Sequence, residues 1–353
     1  MAPVVAELAR REGIDAQVCV TAQHREMLDQ VLDLFGIVPD YDLDLMREDQ
    51  SLDDLTAAVF SHLGEVLDSA RPDWVLVQGD TTTVMAAALL ASYHHTRVGH
   101  VEAGLRTDDK WNPFPEEINR RVASTVADLH FAPTRRARQN LLQEGIPDSK
   151  IVLTGNPVID ALQQVVEFPC HFEGDLLHIL EADSPIVLVT AHRRENFGKP
   201  LERIFLALDQ LATQYPGVEF IYPVHLNPNV QEPAHRLLSG IPNLHLLPPL
   251  DYLPMAHLLK RARLVLTDSG GLQEEAPALG TPVLVMRDVT ERPEGLEAGT
   301  ARLVGTDPGR IIADVSDLLD NPDSHAAMAQ AINPYGDGKA AVRIVDALLT
   351  ASA

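Results

Sequence analysis

Short apolar runs rich in valine, isoleucine and leucine recur along the whole chain, most of them followed by a stretch with helical spacing. A first series comprises DAQVCV (15–20), WVLVQ (74–78), RVGHV (97–101), LHFAP (129–133) and KIVLT (150–154). A second comprises PIVLVT (185–190), VEFIYP (218–223), NLHLL (243–247), RLVLT (263–267), PVLVM (282–286) and ARLV (301–304). These runs are continuously apolar instead of alternating with polar residues, so strands made from them must be covered on both faces. Helices flanking a parallel sheet provide that cover, and TTVMAAALLASYHH (82–95) and RIFLALDQLATQY (203–215) have the required pattern. The expected fold class is α/β, built from doubly wound parallel sheets.

Eleven strands are many for one open sheet, and 353 residues exceed one ordinary core. The series breaks at GNPVIDALQQVVEFPCHFEGD (155–175), a helix plus an irregular segment that reads as a connection between two domains. Ligands of such sheets bind beyond the C-terminal strand ends, and two facing sheets would hold their ligand in the cleft between them. The opening MAPVVAELARREG has an apolar helical face of Met1, Val4, Val5 and Leu8. A Rossmann-like domain normally begins with a strand and a phosphate-facing loop before its first helix.

With 51 acidic against 28 basic side chains, the formal charge is −23. That field repels a nucleic-acid partner. An anionic substrate must therefore be held by local Arg, Lys, His or helix N-termini. Cys19 and Cys170 are too few and too scattered for a disulfide framework or a zinc site. No apolar run reaches membrane-spanning length, and no basic-then-apolar leader opens the chain. A soluble cytoplasmic protein without a membrane partner is expected.

The residues suited to chemistry lie where the strand candidates end. TDSGGLQEEA (267–276) follows RLVLT. A nucleophilic Ser269 is disfavoured: D-S-G-G in trypsin-like proteases belongs to an antiparallel barrel, and no G-x-S-x-G elbow is present. Two readings stay open, a helix capped by Ser269 and a phosphate cradle made by the amides of Ser269, Gly270 and Gly271. In the second, Glu275 lies about one and a half turns into the helix, beyond a diphosphate and able to meet ribose hydroxyls. Pro277 would bend that helix.

VQGDTTTVMAAALL (77–90) puts Asp80 at a strand end, as a helix cap or as a site carboxylate. HVEAGLRTDDKWNPFPEEINRR (100–121) offers Glu102 directly after a strand and Glu116 after a proline-stiffened loop. Buried carboxylates of raised pKa suit general acid–base chemistry at carbon. The structural alternative makes Glu102 an ion-pair partner of Arg106 or Arg120, while Glu117, Asp108 and Asp109 read as solvated surface. H-x-E without a downstream P-C-x-x-C does not make a zinc deaminase, so no metal is expected. TAHRRENFG (190–198) groups His192, Arg193 and Arg194 at a strand end, suited to a diphosphate or a leaving-group proton. Arg292 in MRDVTERPEG (286–295) is also anion-suited, and His225 in PVHLNPNV (223–230) says less.

Taken together, VCVTAQHREMLDQVLDLF, QGDTTT, HVEAGLRT, PEEINRR, TGNPVIDAL, PVHLNPNV, TDSGGLQEEAPALGTPVLVMRDVTERPE and NPYGDGKA resemble the non-hydrolysing UDP-N-acetylglucosamine 2-epimerases. The likeness runs in order and at compatible spacing from Met1 to about Asp346. It implies a glycosyltransferase-B-like pair of Rossmann-like domains facing across a cleft, 1–157 plus 335–353 and 158–334, the last helix returning to the first domain. It also implies reversible C2 epimerisation of UDP-GlcNAc to UDP-ManNAc for bacterial surface polysaccharide precursors, by elimination and re-addition of UDP, with no cofactor.

Under that resemblance Asp80, Glu102 and Glu116 would move protons at C2. His192, Arg292 and the turn of Ser269, Gly270 and Gly271 would receive the departing UDP. Glu275 would bind the ribose, and Leu250 and Met255 the uracil. Gln23, His24, Arg25, Arg193 and His225 match a pocket for a second UDP-GlcNAc acting as activator, and a homodimer is implied. Rival readings are a hydrolysing relative that releases UDP and free ManNAc, a retaining glycosyltransferase of the same fold, and a nucleotide-sugar-binding protein without catalysis. Relatives begin with a strand and a loop of the form G-T-R-P-E-A-I-K ahead of the M-A-P that opens this chain. The natural protein is thus expected to start upstream, and this form to be less soluble or less active for want of that strand's ladder and its phosphate contacts.

Overall fold

The computed structural model describes residues 1–22, 25–47, 50–172, 174–181 and 184–352. The chain divides into two compact units, Met1–Ala161 with Tyr335–Ala353, and Leu162–Pro334.

The first unit contains β1 (Cys19–Val20), β2 (Tyr41–Asp42), β3 (Trp74–Gln78), β4 (Arg97–Val101), β5 (Leu129–Ala132) and β6 (Ile151–Leu153). β1 and β2 pair as a two-stranded parallel sheet, and β3, β4, β5 and β6 follow one another in a four-stranded parallel sheet. DAQVCV thus contributes only its last two residues to a strand, and its partner β2 lies in an acidic stretch that shows no apolar run. Ser51 opens the helix Leu52–Ala70 by accepting from the Asp54 amide at 3.1 Å. Its Leu55, Val59, Leu63 and Leu67, four residues apart, bury one stripe. The helix Thr82–Tyr93, capped by Thr81, instead buries Ala86, Ala87, Ala88 and Ala91. Those small side chains let it pack between Leu52–Ala70 and Glu116–Val126.

The helix Ala340–Ser352 joins this unit, with Ile344, Val345 and Leu348 packed against Val4, Val101 and Phe131. Its first turn is capped by Asp160, whose buried carboxylate accepts from the amides of Ala340 (3.1 Å) and Ala341 (2.8 Å). At Gly104, φ is +88° and an added Cβ would stand 2.2 Å from the Ala137 carbonyl oxygen, so only glycine can turn there.

The second unit holds β7 (Ile186–Thr190), β8 (Glu219–Pro223), β9 (Leu244–Leu247), β10 (Leu264–Thr267), β11 (Val283–Val285) and β12 (Ala301–Leu303). All six strands are parallel, in the order β12-β11-β10-β7-β8-β9. Phe205, Leu208, Leu211, Phe220 and Tyr222 belong to one packed cluster, and Leu258, Leu259, Val265, Ala276 and Val283 to another. Because β7 lies beside β10, the strand order reverses between them, and the loops leaving these two strands flank a switch-point crevice. The stretch 155–175, expected as a helix plus an irregular segment, holds the helix Pro157–Val165, and a further helix, Gly174–Glu181, begins at its end.

Two buried imidazoles lie in the first unit's sheet. His100 and His130 are register partners on β4 and β5, and both are fully buried. His100 Nε2 meets the Gly79 carbonyl at 2.8 Å, whereas its Nδ1 reaches no hydrogen-bond partner among the described residues. Burial, opposed at His100 by the Gly79 carbonyl, holds each ring down to about 4. Unfolding restores the ordinary value of 6.5, so the unfolded chain takes up these protons first as pH falls. The stability tied to the neutral rings is complete above pH 6.5 and is lost between 6.5 and about 4, at about 3 kcal/mol per ring. His130→Phe should therefore unfold at about pH 5 with roughly one proton less taken up than wild type, read from the pH dependence of the urea midpoint. An unchanged pH slope would show that the folded ring already carries its proton.

Candidate active site

In the first unit, Asp80 and Glu102 lie just past the ends of β3 and β4. Gly79 and Glu102 both take left-handed backbone, at φ +83° and +64°. Glycine does this freely, but at a glutamate it costs roughly 1 kcal/mol. The turn carries Glu102 Oε2 to 3.7 Å from where a Gly79 side chain would begin, and Gln78 Nε2 donates to the same oxygen at 3.4 Å. His100 holds the Gly79 carbonyl from below.

Asp80 pairs with the Arg120 guanidinium, and its carbonyl accepts from Asn119 Nδ2 at 2.9 Å. Arg106 goes to Glu144, and Arg120 is shared between Asp80 and Glu117. Glu116 opens the helix Glu116–Val126, and its Oε2 is buried with no hydrogen-bond partner among the described residues. Glu117 corrects the expectation of a solvated residue, for it is fully buried. Helical spacing of three and four brings Arg120 (3.3 Å) and Arg121 (2.9 Å) to its oxygens, and the Thr107 amide adds a donor at 3.2 Å. Asp108 and Asp109 are exposed, as expected.

In the second unit, the loops after β7 and β10 are tied together. The hydroxyls of Thr190 and Thr267 meet at 2.6 Å across the two strand ends. Beyond them, buried Asp268 accepts from the amides of His192 and Arg193 (2.9 Å each) and from Asn196 Nδ2 (3.0 Å). Sequence reading passed over this residue in favour of the serine and glycines beside it. An acidic residue directly after a fully apolar strand was the available signal. His192 stacks on His225, ring centroids 5.5 Å apart and planes 13° from parallel. Burial pulls the His192 imidazole below its ordinary value; Asp268 opposes this, and His225 and Arg193 add to it.

The turn after Asp268 divides its amides. That of Ser269 donates to Thr267 Oγ1 at 2.9 Å, while those of Gly270 and Gly271 meet no acceptor among the described residues. Ser269 is not the helix cap, since Leu272–Ala278 starts after Gly271. Arg193 reaches Glu291 at 3.1 Å, and its Nη2 lies 3.3 Å from the position of an added Gly270 Cβ. Arg292 is paired with buried Glu274. Glu275 accepts from Tyr252 Oη at 3.2 Å, a partner not foreseen from sequence. Burial pushes its carboxyl up to about 7, the Tyr252 bond opposing and Glu274 adding. Leu250 and Met255 pack at the margin of the cluster that contains Leu258 and Leu272.

Of the proposed activator residues, Gln23 and His24 lie outside the described residues. Arg25 pairs with Asp42 (2.7 Å) and Asp29 (3.3 Å), whereas Arg193 and His225 stand around His192. Among the described residues, no group of three or more His, Cys, Asp or Glu side chains is placed to hold a metal ion, and no helix is long and apolar enough to cross a membrane.

The sequence model of the UDP-N-acetylglucosamine 2-epimerase family matches residues 6–349. The Yersinia pestis UDP-N-acetylglucosamine 2-epimerase is 52% identical over 355 residues, covering 99% of this chain and 94% of that protein. Among solved structures, the UDP-GlcNAc 2-epimerase from Neisseria meningitidis bound to UDP-GlcNAc superposes with a TM-score of 0.88 at 48% identity, covering 99% of this chain and 96% of that one. The Methanocaldococcus jannaschii UDP-GlcNAc 2-epimerase in complex with UDP-GlcNAc and UDP gives 0.79 at 32% identity, covering 99% and 95%. With the family's pattern over nearly its whole length and about half its residues shared with a named member, the chain belongs to the UDP-N-acetylglucosamine 2-epimerases, a family of isomerases.

Proposed function

We propose that this chain interconverts UDP-N-acetylglucosamine and UDP-N-acetylmannosamine without hydrolysis. The C2 proton is removed and UDP leaves C1, giving a 2-acetamidoglucal; UDP then returns to C1 and a proton to the other face of C2. Delivery from the other face calls for more than one proton-transfer group. The observation that carries the reading is Glu102, a carboxylate held in left-handed backbone at a strand end. Local strain of that kind collects at functional sites. Glu116, with a buried oxygen that meets no donor among the described residues, is the second such group, and Asp80, fixed by Arg120, completes the set.

The second unit takes the nucleotide. His192, Arg292 and the amides of Gly270 and Gly271 receive the diphosphate, with Ser269 shaping the turn. Glu275 accepts from the ribose hydroxyls, and Leu250 and Met255 meet the uracil. Arg25, Arg193 and His225 contribute to binding a second UDP-GlcNAc as activator. A cytoplasmic homodimer supplying precursors of surface polysaccharide completes the proposal. The UDP-GlcNAc and UDP bound by the Neisseria and Methanocaldococcus proteins support the choice of ligand.

Proton NMR of UDP-GlcNAc with the protein in D₂O tests the reaction. Both epimers should form and carry deuterium at C2, without free UDP rising in step with turnover. Free UDP rising with turnover assigns the hydrolysing reaction, binding without an epimer assigns a nucleotide-sugar-binding protein without catalysis, and an epimer that keeps its protium excludes exchange with solvent through the carboxylates. Glu102→Gln should lower kcat by on the order of 10²-fold or more with KM little changed. A variant that keeps about half of wild-type kcat would make Glu102 structural.

Gly271 has φ −62° and ψ −44°, and nothing lies within 4 Å of an added Cβ. Gly271→Val should therefore keep the melting temperature while weakening UDP at least about tenfold, its branched side chain blocking approach to the amides. Undiminished UDP affinity would leave the turn as a helix start alone.

A further inference from the structure

Asp268 has a fully buried carboxylate, and no arginine or lysine among the described residues pairs with it. Its Oδ2 accepts three N–H donors, the amides of His192 (2.9 Å) and Arg193 (2.9 Å) and Asn196 Nδ2 (3.0 Å). Its Oδ1 has only the His192 amide at 3.1 Å and faces His192 Nδ1 at 3.4 Å. The first oxygen is saturated, and the second keeps a lone pair for the ring. With Nδ1 turned toward this carboxylate, Nε2 is directed away from it, on a side chain that is 36% exposed.

We infer that Asp268 is a positioning residue: it holds His192 with Nδ1 protonated and Nε2 presented to the departing diphosphate, and it stabilises the imidazolium. The inference rests on the proposed epimerase reading for the task of His192. Charge explains why a carboxylate is needed there. His225, stacked on the ring, and Arg193 both disfavour a protonated His192, as does burial, and Asp268 is the group that opposes them. A neutral ring with its lone pair facing a phosphate oxygen would repel the leaving group, whereas an Nε2–H donates to it. The same residue begins the turn whose Gly270 and Gly271 amides meet no acceptor among the described residues, and Thr267, one position earlier, is bonded to Thr190 and to the Ser269 amide. One short segment therefore sets both the imidazole and the anion-facing backbone.

Imidazole ¹⁵N shifts of the wild-type protein, with His192 assigned by a His192→Gln spectrum, read the tautomer. The neutral ring should be protonated at Nδ1; an Nε2–H tautomer overturns the inference without any Asp268 variant. In Asp268→Asn, His192 should lose its proton at lower pH than in wild type, and kcat should fall by on the order of 10²-fold or more with KM within a few-fold. In a His192→Ala background the same change should cost less than about tenfold, because the two act as one unit. A purely structural Asp268 would lower the melting temperature, leave the His192 titration in place and cost the same factor in both backgrounds. Should the wild type form no UDP-ManNAc, the epimerase reading fails, and the tautomer and titration still decide whether Asp268 positions the ring.

Discussion

A carboxylate cut off from water must find donors within the protein, and for Asp268 they lie in the segment that leaves β7. The backbone after Thr190 has to turn so that two successive amides and the Asn196 side chain point at one group on the neighbouring strand end. Parallel pairing of β7 with β10, in register through Thr190 and Thr267, brings donors and acceptor to the same level. A one-residue slip would send the side chains of either strand to the opposite faces and dissolve the arrangement. The site loops of the second unit thus inherit their shape from sheet register by way of one buried charge.

The strongly acidic composition acquires a local meaning in the structure. Arginines are drawn inward as counter-charges: Arg120 lies between Asp80 and Glu117, Arg106 against Glu144, Arg287 between Glu195 and Glu291, and Arg292 against Glu274. Breaking such a partly buried pair from one side leaves a desolvated charge behind, which costs more than the intact pair contributes. Two of these pairs, Arg120 with Asp80 and Arg292 with Glu274, fix proposed site groups directly.

Fold class was legible because continuous apolar runs admit few alternatives, and the positions of most long strands followed from them. β1 and β2 were not legible at their true length, since two-residue strands carry too little pattern. Residues after strands could be nominated as site groups by position alone. Their partners could not: Glu117 reads as surface by its neighbours DD and EE, yet the helix turns it onto Arg120 and Arg121. Tyr252 on Glu275 joins residues far apart in sequence, and no periodicity reports such a meeting. Asp268 was overlooked because glycines draw the eye to backbone, while the acidic side chain beside them holds the loop.

The first unit is discontinuous in sequence, and the second is contiguous within it. During synthesis domains generally fold as units as they emerge. Residues 162–334 can therefore complete their six-stranded sheet while the first unit still lacks the helix Ala340–Ser352. Until then Asp160 has no amides from Ala340 and Ala341 to cap, and Val4, Val101 and Phe131 lack their apolar cover. The segment that closes the first unit's core is made after the second unit, so the residues of the first unit that precede the second are covered only once the second has been made.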